Sequence, residues 1–295
     1  MSNSLKIGFV GMGLMGIPMT LRLLQAGFDT GVWNRDPQKT QIPQQAGATV
    51  YESLRQLAES VDIIMLCVTD TQAVETVVYG PEGLARHMSR GQTLVDFSSI
   101  SPDATKSFAE RLLAEQQCQW IDAPVSGGVA GAENGTLVVM AGGDDSTLDR
   151  IRPTLAPLCQ RITHMGPSGS GQATKVCNQM LVSCNVMVMA EVLALAENAG
   201  VDAQKIPAAL AGGFADSIPL QLTGQRMVDS DFEEIKWHVK TLLKDLTLAS
   251  ELAQSNTSET PMAQLAHRLM RAQSDSGLAE QDPANLIRHY RQPSQ

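Results

Sequence analysis

The stretch Ile7-Gly8-Phe9-Val10-Gly11-Met12-Gly13-Leu14-Met15-Gly16 decides how the first half of this chain folds. Its apolar start is typical of a buried strand and a helical pattern follows it, which is the context that the spacing G-x-G-x-x-G requires. Gly11 permits a tight turn, Gly13 lets the backbone approach a pyrophosphate, and Gly16 allows close helix–strand packing. We therefore predict a dinucleotide-binding turn with the pyrophosphate at the helix N-terminus; the alternative is a purely structural glycine-rich turn. Its candidate cofactor-binding residues are Gly11, Met12, Gly13, Leu14 and Met15.

Short apolar runs alternate with helical stretches through the first half of the chain. This alternation predicts a mostly parallel sheet covered by helices, because parallel strands need crossover connections. After about His164 the strand signals stop, and a long helix closed by Gly200 leads a series of helical patterns. We therefore expect an α/β Rossmann-type N-terminal domain with a mostly parallel sheet over residues 1–164, followed by an all-α C-terminal domain led by a long helix over residues 165–295. The apolar runs are Ile7–Val10, Gly31–Trp33, Ile63–Val68, Leu94–Phe97, Trp120–Ala123 and Leu137–Ala141, and the helical patterns are Pro102–Gln116, Asp144–Pro157, Ser170–Ala199, Ala203–Leu210, Ile235–Gln254, Pro261–Gln273 and Pro283–Tyr290.

Composition and charge argue against several classes of function. The chain has 295 residues and a formal net charge of −9, and without a Lys/Arg cluster it offers nothing that attracts a nucleic acid backbone. Five cysteines without a C-x-x-C pair predict reduced thiols, and five histidines without metal spacing predict no metal site. We find no signal-peptide pattern and no apolar run of about 20 residues, so we expect a cytoplasmic protein without membrane contact.

The residues after the second apolar run indicate the cofactor. An NAD enzyme usually offers Asp or Glu there to the ribose 2′-hydroxyl, whereas this chain has Asn34 and Arg35. An amide followed by a guanidinium suits a 2′-phosphate, because Arg can hold it with forked hydrogen bonds. NADP(H) is therefore favoured over NAD(H). Two alternatives stay open: Asp36 would reach a ribose if the turn bent differently, and Arg35 taken alone is a solvated surface charge.

Lys175, Asn178 and Gln179 share one face of the long predicted helix, at positions i, i+3 and i+4. Their polar groups interrupt an otherwise apolar pattern. A buried lysine shifts its pKa readily, which is what a proton donor near neutral pH needs. Lys175 is therefore a candidate general acid, although a single lysine on a helix is more often a solvated charge.

A second glycine-rich segment, Asp122–Ala132, follows the strand pattern Trp120–Ala123. Ser126, Gly127 and Gly128 would present a hydroxyl and backbone N–H groups at the carboxyl end of a strand, where open α/β sheets bind ligands. They form a candidate cradle for a substrate carboxylate. The alternative is a plain glycine-rich connector.

In combination these motifs resemble the β-hydroxyacid dehydrogenase family. The resemblance covers almost the whole chain, and its motifs are specific when taken together. The stretches that carry it are Gly11–Pro18, Asp122–Ala132, Gly171–Gln179 and Lys244–Leu246.

The resemblance implies a role for each matching residue. It implies that Lys175 is the catalytic lysine and that Asn178 contacts substrate and helps to orient it. It implies that Ser126, Gly127 and Gly128 form the loop that holds the substrate carboxylate. The further cofactor contacts that it implies are Val68, Thr69, Ser99 and, from the helical domain, Lys244.

The resemblance also implies the reaction, which is reversible hydride transfer between a nicotinamide and a short 3-oxo or 3-hydroxy acid. The pair Asn178-Gln179 is similar to the branch that reduces 2-hydroxy-3-oxopropionate, so this small carboxylate is the expected substrate. The alternatives are 3-hydroxyisobutyrate dehydrogenase activity, a related semialdehyde reductase and, from another class, a non-catalytic cofactor-binding protein. The broad apolar surface of Met180–Leu195, together with the resemblance, predicts a homo-oligomer, either a dimer or a tetramer.

Overall fold

Nine strands form a sheet in the first part of the chain, within residues 5–291, which the computed structural model describes. The chain divides into two compact units, the first ending at Lys175 and the second beginning at Val176. The strands are β1 (Ile7–Val10), β2 (Thr30–Trp33), β3 (Thr49–Val50), β4 (Ile63–Leu66), β5 (Thr93–Asp96), β6 (Gln119–Asp122), β7 (Val125–Ser126), β8 (Leu137–Gly142) and β9 (Cys159–Gly166). Their order is β3-β2-β1-β4-β5-β6-β8-β7, and β9 pairs with β8.

Most neighbouring strands run parallel, as predicted. The pairs from β3 across to β6 are all parallel, as is β8 with β9, while β8 runs antiparallel to β6 and β7. The chain order reverses between β1 and β4, so the carboxyl ends of these strands border the crevice in which open α/β sheets bind ligands. The helices of this unit are α1 (Gly16–Gln25), α2 (Gln41–Gln45), α3 (Leu54–Ser60), α4 (Thr71–Tyr79), α5 (Pro102–Gln116), α6 (Gly128–Asn134) and α7 (Asp145–Leu155).

Apolar clusters cover both faces of this sheet. Ile64 and Trp120 belong to one buried cluster, while Met65 and Ile121, the next residues along the same strands, belong to the other. Successive side chains of a strand point to opposite faces, so a strand covered on both sides must be apolar throughout. This is why these strands were recognisable as continuous apolar runs.

Three strands have no counterpart among the predicted apolar runs: β3, β7 and β9. The first two are only two residues long. Over Cys159–Gly166, β9 alternates exposed and partly covered residues, so a search for apolar runs misses it. The helix expected over Asp144–Pro157 ends at Leu155, because a 3₁₀ turn follows over Ala156–Leu158.

Helices, without strands, make up the second unit as far as residue 291, as predicted. The long helix α8 covers Ser170–Asn198, and Gly200 takes a φ of +76°, as expected of its predicted C-terminal cap. The other elements are α9 (Ile206–Leu210), α10 (Gln225–Asp229), α11 (Val239–Ser255) and α12 (Pro261–Gln273), with 3₁₀ segments at Ala203–Lys205 and Pro283–His289 and π segments at Leu220–Gly224 and Ser274–Leu278.

The helix expected over Ile235–Gln254 begins later than predicted. It starts at Val239 because His238 is extended and the Lys236 N–H donates to the buried carboxylate of Asp282 at 2.9 Å. A long-range contact thus overrides the local helical pattern.

The helix α8 bears on the expectation that the protein makes no membrane contact, although polar residues interrupt its apolar pattern. By length and composition alone its 29 residues are a candidate span. A single helix of this kind is weak evidence, since the core helix of a soluble protein meets the same criteria. A cytoplasmic location therefore stays a prediction.

Replacing Gly16 by Ala is expected to lower the free energy of unfolding by about 1–3 kcal/mol. The added methyl group would lie far inside contact distance of the Gly11 carbonyl. Gly13→Ala is the matched control in the same turn, because no atom lies within 4 Å of the place its methyl group would take. Urea denaturation measures both variants, and equal losses would contradict the packing role assigned to Gly16.

Candidate active site

The glycine turn joins β1 to α1 and packs against neighbouring strand ends. Gly11 has a φ of +102°, and its N–H donates to the Trp33 carbonyl at 3.1 Å. A side chain at Gly11 would collide with the Cys67 carbonyl, and a side chain at Gly16 would collide with the Gly11 carbonyl. A methyl group at Gly13 would meet open space. A turn that is packed on two sides and open at Gly13 fits the approach of a pyrophosphate.

Asn34 connects this turn to the end of β2. Its side-chain oxygen accepts the Met12 N–H at 2.9 Å, and its side-chain amide donates to the Asp36 carbonyl at 2.8 Å. Met12 is buried, Leu14 is exposed and Met15 is half-buried. A direct hydrogen bond therefore joins two of the candidate cofactor-binding residues, Met12 in the turn and Asn34 after β2.

Arg35 and Asp36 differ in what surrounds their charges. Arg35 is exposed. The Asp36 carboxylate accepts the Gln38 N–H at 3.1 Å and caps the following 3₁₀ turn, Pro37–Thr40. A carboxylate in a capping role is directed to its own turn, which bears against the alternative that Asp36 reaches a ribose, and the preference for NADP(H) stays a prediction.

The loops after β4 and β5 meet at the same sheet edge as the glycine turn. The Val68 N–H donates to the Ser98 hydroxyl oxygen at 3.0 Å, and the Thr69 hydroxyl donates to Asp70 at 2.8 Å. Val68 and Ser99 are half-buried, and Thr69 is exposed. This placement suits the cofactor contacts that the resemblance implied, and those contacts stay predictions.

Two buried carboxyl groups lie side by side at the ends of β5 and β6. Asp96 and Asp122 are partners in the parallel register, and both are fully buried. Burial raises the pKa of Asp96 to about 7, opposed by hydrogen bonds from Ser98 and reinforced by the neighbouring charge of Asp122. Burial also raises the pKa of Asp122, although backbone hydrogen bonds act against the shift. The candidate site therefore contains an acid that titrates near neutral pH.

The predicted carboxylate loop begins in β7. Ser126 is half-buried and pairs with Val138 of β8. Gly127 and Gly128 are exposed, with φ of +135° and +62°, in the region that favours glycine. Exposed glycines beside a serine are compatible with the predicted binding of a carboxylate, and that role stays a prediction.

The first turn of α8 is anchored on the end of β6. The Asp122 carboxylate accepts the Gly169 N–H at 2.9 Å with one oxygen and the Gln172 N–H at 3.0 Å with the other. The first N–H groups of a helix lack partners within the helix, and a buried carboxylate satisfies two of them here.

The Gln172 side chain connects the same turn to the loop after β5. Its amide donates to the Ser98 carbonyl at 2.7 Å, and its oxygen accepts the Ile100 N–H at 3.2 Å. Lys175, which is half-buried, follows Gln172 by one helical turn, about 4.5 Å along the axis. The candidate lysine thus belongs to a helix end that is tied to the loop carrying Ser99.

A chain of polar side chains extends from Asn178 within the second unit. Asn178 donates to the Gln179 side-chain oxygen at 2.8 Å, and Gln179 donates to Asp245 at 2.6 Å. Asp245 is buried, and its carboxylate lies 3.8 Å from the Lys244 ammonium nitrogen. Two predicted site residues, Asn178 and Lys244, are therefore linked through a residue pair to which no role was predicted.

Sequence reasoning did not assign roles to Asp96, Ser98 or Gln172. Gln172 lies within the motif stretch Gly171–Gln179, but the resemblance implied no role for it, and Asp96 and Ser98 lie outside the motif stretches. The available signal was a carboxylate inside an apolar run, at the last position but one, because a buried charge needs partners or a bound proton. Asp96 and Asp122 both fit that description, and the structure places them on adjacent strands.

Metal-binding groups and cysteine thiols are the other chemistry-bearing side chains near a site of this kind. Within the described part of the chain, no group of three or more His, Cys, Asp or Glu residues could hold a metal ion. Burial, with the charge of Asp96 adding to it, raises the pKa of the Cys67 thiol, which lies next to the glycine turn, to about 12. A thiol in this state is a poor nucleophile.

Comparison with known families supports this description of both halves. The family model for the NAD binding domain of 6-phosphogluconate dehydrogenase matches residues 6–166. The model for the NAD-binding region of NADP-dependent 3-hydroxyisobutyrate dehydrogenase matches residues 169–290. Together they cover nearly all of the chain.

Individual relatives are similar to this chain over nearly their whole length. The chain is 38% identical to 2-hydroxy-3-oxopropionate reductase of Escherichia coli (strain K12), covering 96% of each protein. It is 31% identical to 2-(hydroxymethyl)glutarate dehydrogenase of Eubacterium barkeri, covering 99% of this chain and 97% of the relative. A structure of Mycobacterium tuberculosis 3-hydroxyisobutyrate dehydrogenase with L-serine superposes with a TM-score of 0.87 and 27% identity, covering 98% of this chain and 99% of the other.

Asp96→Asn is expected to stabilise the protein increasingly between pH 4 and pH 7. The folded pKa of Asp96, about 7, lies above its unfolded value, so the wild type loses stability as pH rises through this window. Asn cannot ionise and keeps an acceptor for Ser98. The gain in the free energy of unfolding should approach roughly 4 kcal/mol at pH 8.

Denaturant titrations at a series of pH values measure this difference. Asp103→Asn is the control, because it removes a carboxylate at an exposed position and so measures the effect of the same substitution at the surface. If the free energy of unfolding of Asp96→Asn differed from that of the wild type by the same amount at every pH, the raised pKa of Asp96 would be contradicted.

Proposed function

This chain belongs to the β-hydroxyacid dehydrogenase family of NAD(P)-dependent oxidoreductases, and we propose that it reduces 2-hydroxy-3-oxopropionate. The family match establishes the class of reaction, which is oxidation or reduction of a small hydroxy acid. The identity to the E. coli reductase over nearly the whole chain supports this particular acid. The pair Asn178-Gln179, which is similar to that branch, supports it as well.

One observation carries the proposal. A half-buried lysine, Lys175, lies one helical turn beyond a residue that is bonded to the loop after β5. That loop lies at the same sheet edge as the glycine turn, where a dinucleotide is expected. This position within the first unit supports Lys175 as the proton donor, on the side where the cofactor would bind.

In this proposal Lys175 acts as the general acid. As an ammonium it donates a proton to the carbonyl oxygen of the substrate, and in the oxidative direction its neutral form accepts the hydroxyl proton. The bound nicotinamide supplies or accepts the hydride. Asn178 contacts the substrate and helps to orient Lys175, and it is itself held by Gln179.

The remaining candidate residues bind and orient. Ser126, Gly127 and Gly128 hold the substrate carboxylate, which fixes the distance from the carboxylate to the reacting carbon. Lys244, 3.8 Å from the buried Asp245, is proposed as a cofactor contact. Gly11–Met15, Val68, Thr69 and Ser99 are proposed to complete the cofactor site.

NADP(H) is the proposed cofactor. Arg35 is exposed, while the Asp36 carboxylate caps its own turn rather than extending toward a ribose. A guanidinium can hold a 2′-phosphate with two parallel hydrogen bonds. The match of residues 169–290 to the NADP-dependent 3-hydroxyisobutyrate dehydrogenase model agrees with this choice.

We also infer that the protein forms a homo-oligomer through its helical part. Several large apolar side chains are exposed on α8 and in the segment that follows α9. An exposed apolar surface of this extent is typical of a subunit interface. The residues are Leu181, Val188, Val192 and Leu195 on the helix, and Phe214, Ile218 and Leu222 beyond it.

Lys175→Ala is expected to lower kcat by about 10²–10⁴-fold, because the general acid is lost. The dissociation constant for NADPH should stay near the wild-type value, since the lysine acts on the substrate. The assay uses NADPH with wild type and variant and four oxo acids: 2-hydroxy-3-oxopropionate, the aldehyde formed by oxidation of 3-hydroxyisobutyrate, succinic semialdehyde and glyoxylate. The wild type should show its highest kcat/KM with the first of these acids.

Lys205→Ala is the control, because Lys205 is an exposed lysine paired with Asp202. Wild-type preference for the aldehyde formed from 3-hydroxyisobutyrate would replace the proposed substrate by the family alternative. NADPH binding without turnover on any acid would favour a non-catalytic cofactor-binding protein. Equal loss of NADPH affinity and of turnover in Lys175→Ala would contradict its role as the acid.

Arg35→Ala is expected to weaken NADPH binding by about 10-fold or more, because charge-assisted hydrogen bonds to the 2′-phosphate are lost. The affinity for NADH, which lacks that phosphate, should change by less than about 2-fold. Fluorescence titration measures both constants, with Arg55→Ala as a control at an exposed arginine. An unchanged NADPH affinity would contradict the assignment of Arg35.

A further inference from the structure

Asp122 has both carboxylate oxygens engaged by the start of α8. Its Oδ1 accepts the Gly169 N–H at 2.9 Å and its Oδ2 accepts the Gln172 N–H at 3.0 Å. Asp122 lies at the end of β6, in the interior of the sheet, and is fully buried. The helix therefore begins at a point set by a rigid strand rather than by a surface loop.

The close fit around this carboxylate depends on two glycines. A methyl group at Gly142 would lie 2.6 Å from Asp122 Oδ1, and one at Gly171 would lie 2.8 Å from Asp122 Oδ2. Gly171 would also collide with the Met140 carbonyl. Because there is no room for a side chain at either glycine, the backbone at the first turn of α8 packs directly against the ends of the strands.

Gln172 adds a second, independent restraint. It is 1% exposed, and its side chain bonds the loop after β5 at both of its polar ends, at the Ser98 carbonyl and the Ile100 N–H. The Ser98 hydroxyl accepts the Val68 N–H at 3.0 Å. A continuous set of hydrogen bonds thus runs from the loops after β4 and β5 to the helix that carries Lys175.

We propose that Asp122 and Gln172 are positioning residues, which fix Lys175 relative to the loops that carry Val68 and Ser99. Neither residue is proposed to touch the reacting atoms. The inference rests on the proposed function, because it takes Lys175 as the acid and those loops as the nicotinamide side of the site. A displacement of about 1 Å at such a group can cost about 10²-fold in rate, so an anchor one turn away affects turnover.

Gln172→Met tests the proposal, because it keeps the length of the side chain and removes both hydrogen bonds. We expect kcat to fall by about 10-fold or more, with the dissociation constant for NADPH within about 2-fold of wild type. Because the geometry of the acid changes, the pH dependence of kcat should also shift.

Gln92→Met is the matched control. Gln92 is also buried, donates to the Ala58 carbonyl at 2.7 Å and accepts the Ser89 N–H at 2.6 Å, but it precedes β5 at the opposite edge of the sheet. Both variants should lose comparable stability in urea. A positioning role requires that kcat falls in Gln172→Met and not in Gln92→Met.

Hydrogen–deuterium exchange supplies a readout that does not depend on activity. The amides of Gly169 and Gln172 should exchange faster in Gln172→Met and in Asp122→Asn, while they keep their wild-type rates in Gln92→Met. Asp122→Asn keeps the shape of the side chain but offers one acceptor in place of two. It replaces Gln172→Met in the kinetic comparison if that variant does not fold.

The outcomes separate this inference from the proposed function. If Lys175→Ala loses turnover and Gln172→Met keeps a wild-type kcat, the positioning role is overturned and the proposed function stands. If Lys175→Ala keeps its turnover, the proposed acid itself is wrong. Equal losses of kcat in Gln172→Met and Gln92→Met would indicate general destabilisation and would also overturn the inference.

Discussion

Two backbone N–H groups at the start of α8 donate hydrogen bonds to the buried carboxylate of Asp122. The candidate site depends on this contact, because it joins α8, which carries Lys175, to the carboxyl end of the sheet. A helix N-terminus carries a partial positive charge and unpaired N–H donors. A carboxylate balances the charge and accepts hydrogen bonds from the donors. Since Asp122 is buried, the pairing is shielded from solvent and loses little strength to screening.

The same sheet edge must accommodate a second buried acid. Asp96 lies beside Asp122 in the register, and two carboxylates so close cannot both ionise at low cost. The two carboxylates differ in their hydrogen bonds. Asp122 accepts two N–H groups from the start of a helix, whereas Asp96 Oδ2 has no hydrogen-bond partner in the described residues. The raised pKa of Asp96 follows from its burial and from the neighbouring charge of Asp122.

Close backbone approach recurs wherever the candidate site is built. Gly11 packs on the Cys67 carbonyl, and Gly171 packs on the end of β6, with no room for a side chain at either position. Gly11 was recognisable from the sequence, because it belongs to a motif with fixed spacing. Gly171 was visible as part of the resemblance, but its packing partner depends on which strands are adjacent.

In the helical part, the local pattern of apolar residues predicts some helices correctly and fails where long-range contacts intervene. The period of apolar residues correctly indicated α8 and α12, whereas the stretch at 235–238 has a helical pattern and is not helical. Asp282 takes the Lys236 N–H there, a contact between residues far apart in the chain. Likewise, the Gln179–Asp245 hydrogen bond connects α8 to α11 and could not be inferred from either segment alone.

The sequence by itself determined the parallel sheet, the glycine turn, the long helix and the candidacy of Lys175, because periodicity, turn chemistry and motif spacing act over a few neighbouring residues. Only the tertiary structure decided that Asp96 and Asp122 are neighbours, that Gln172 joins α8 to the loop after β5, and that Asn178 connects to Lys244. These contacts depend on strand order and on the packing of distant segments, and buried polar groups find their partners only after the chain has folded around them.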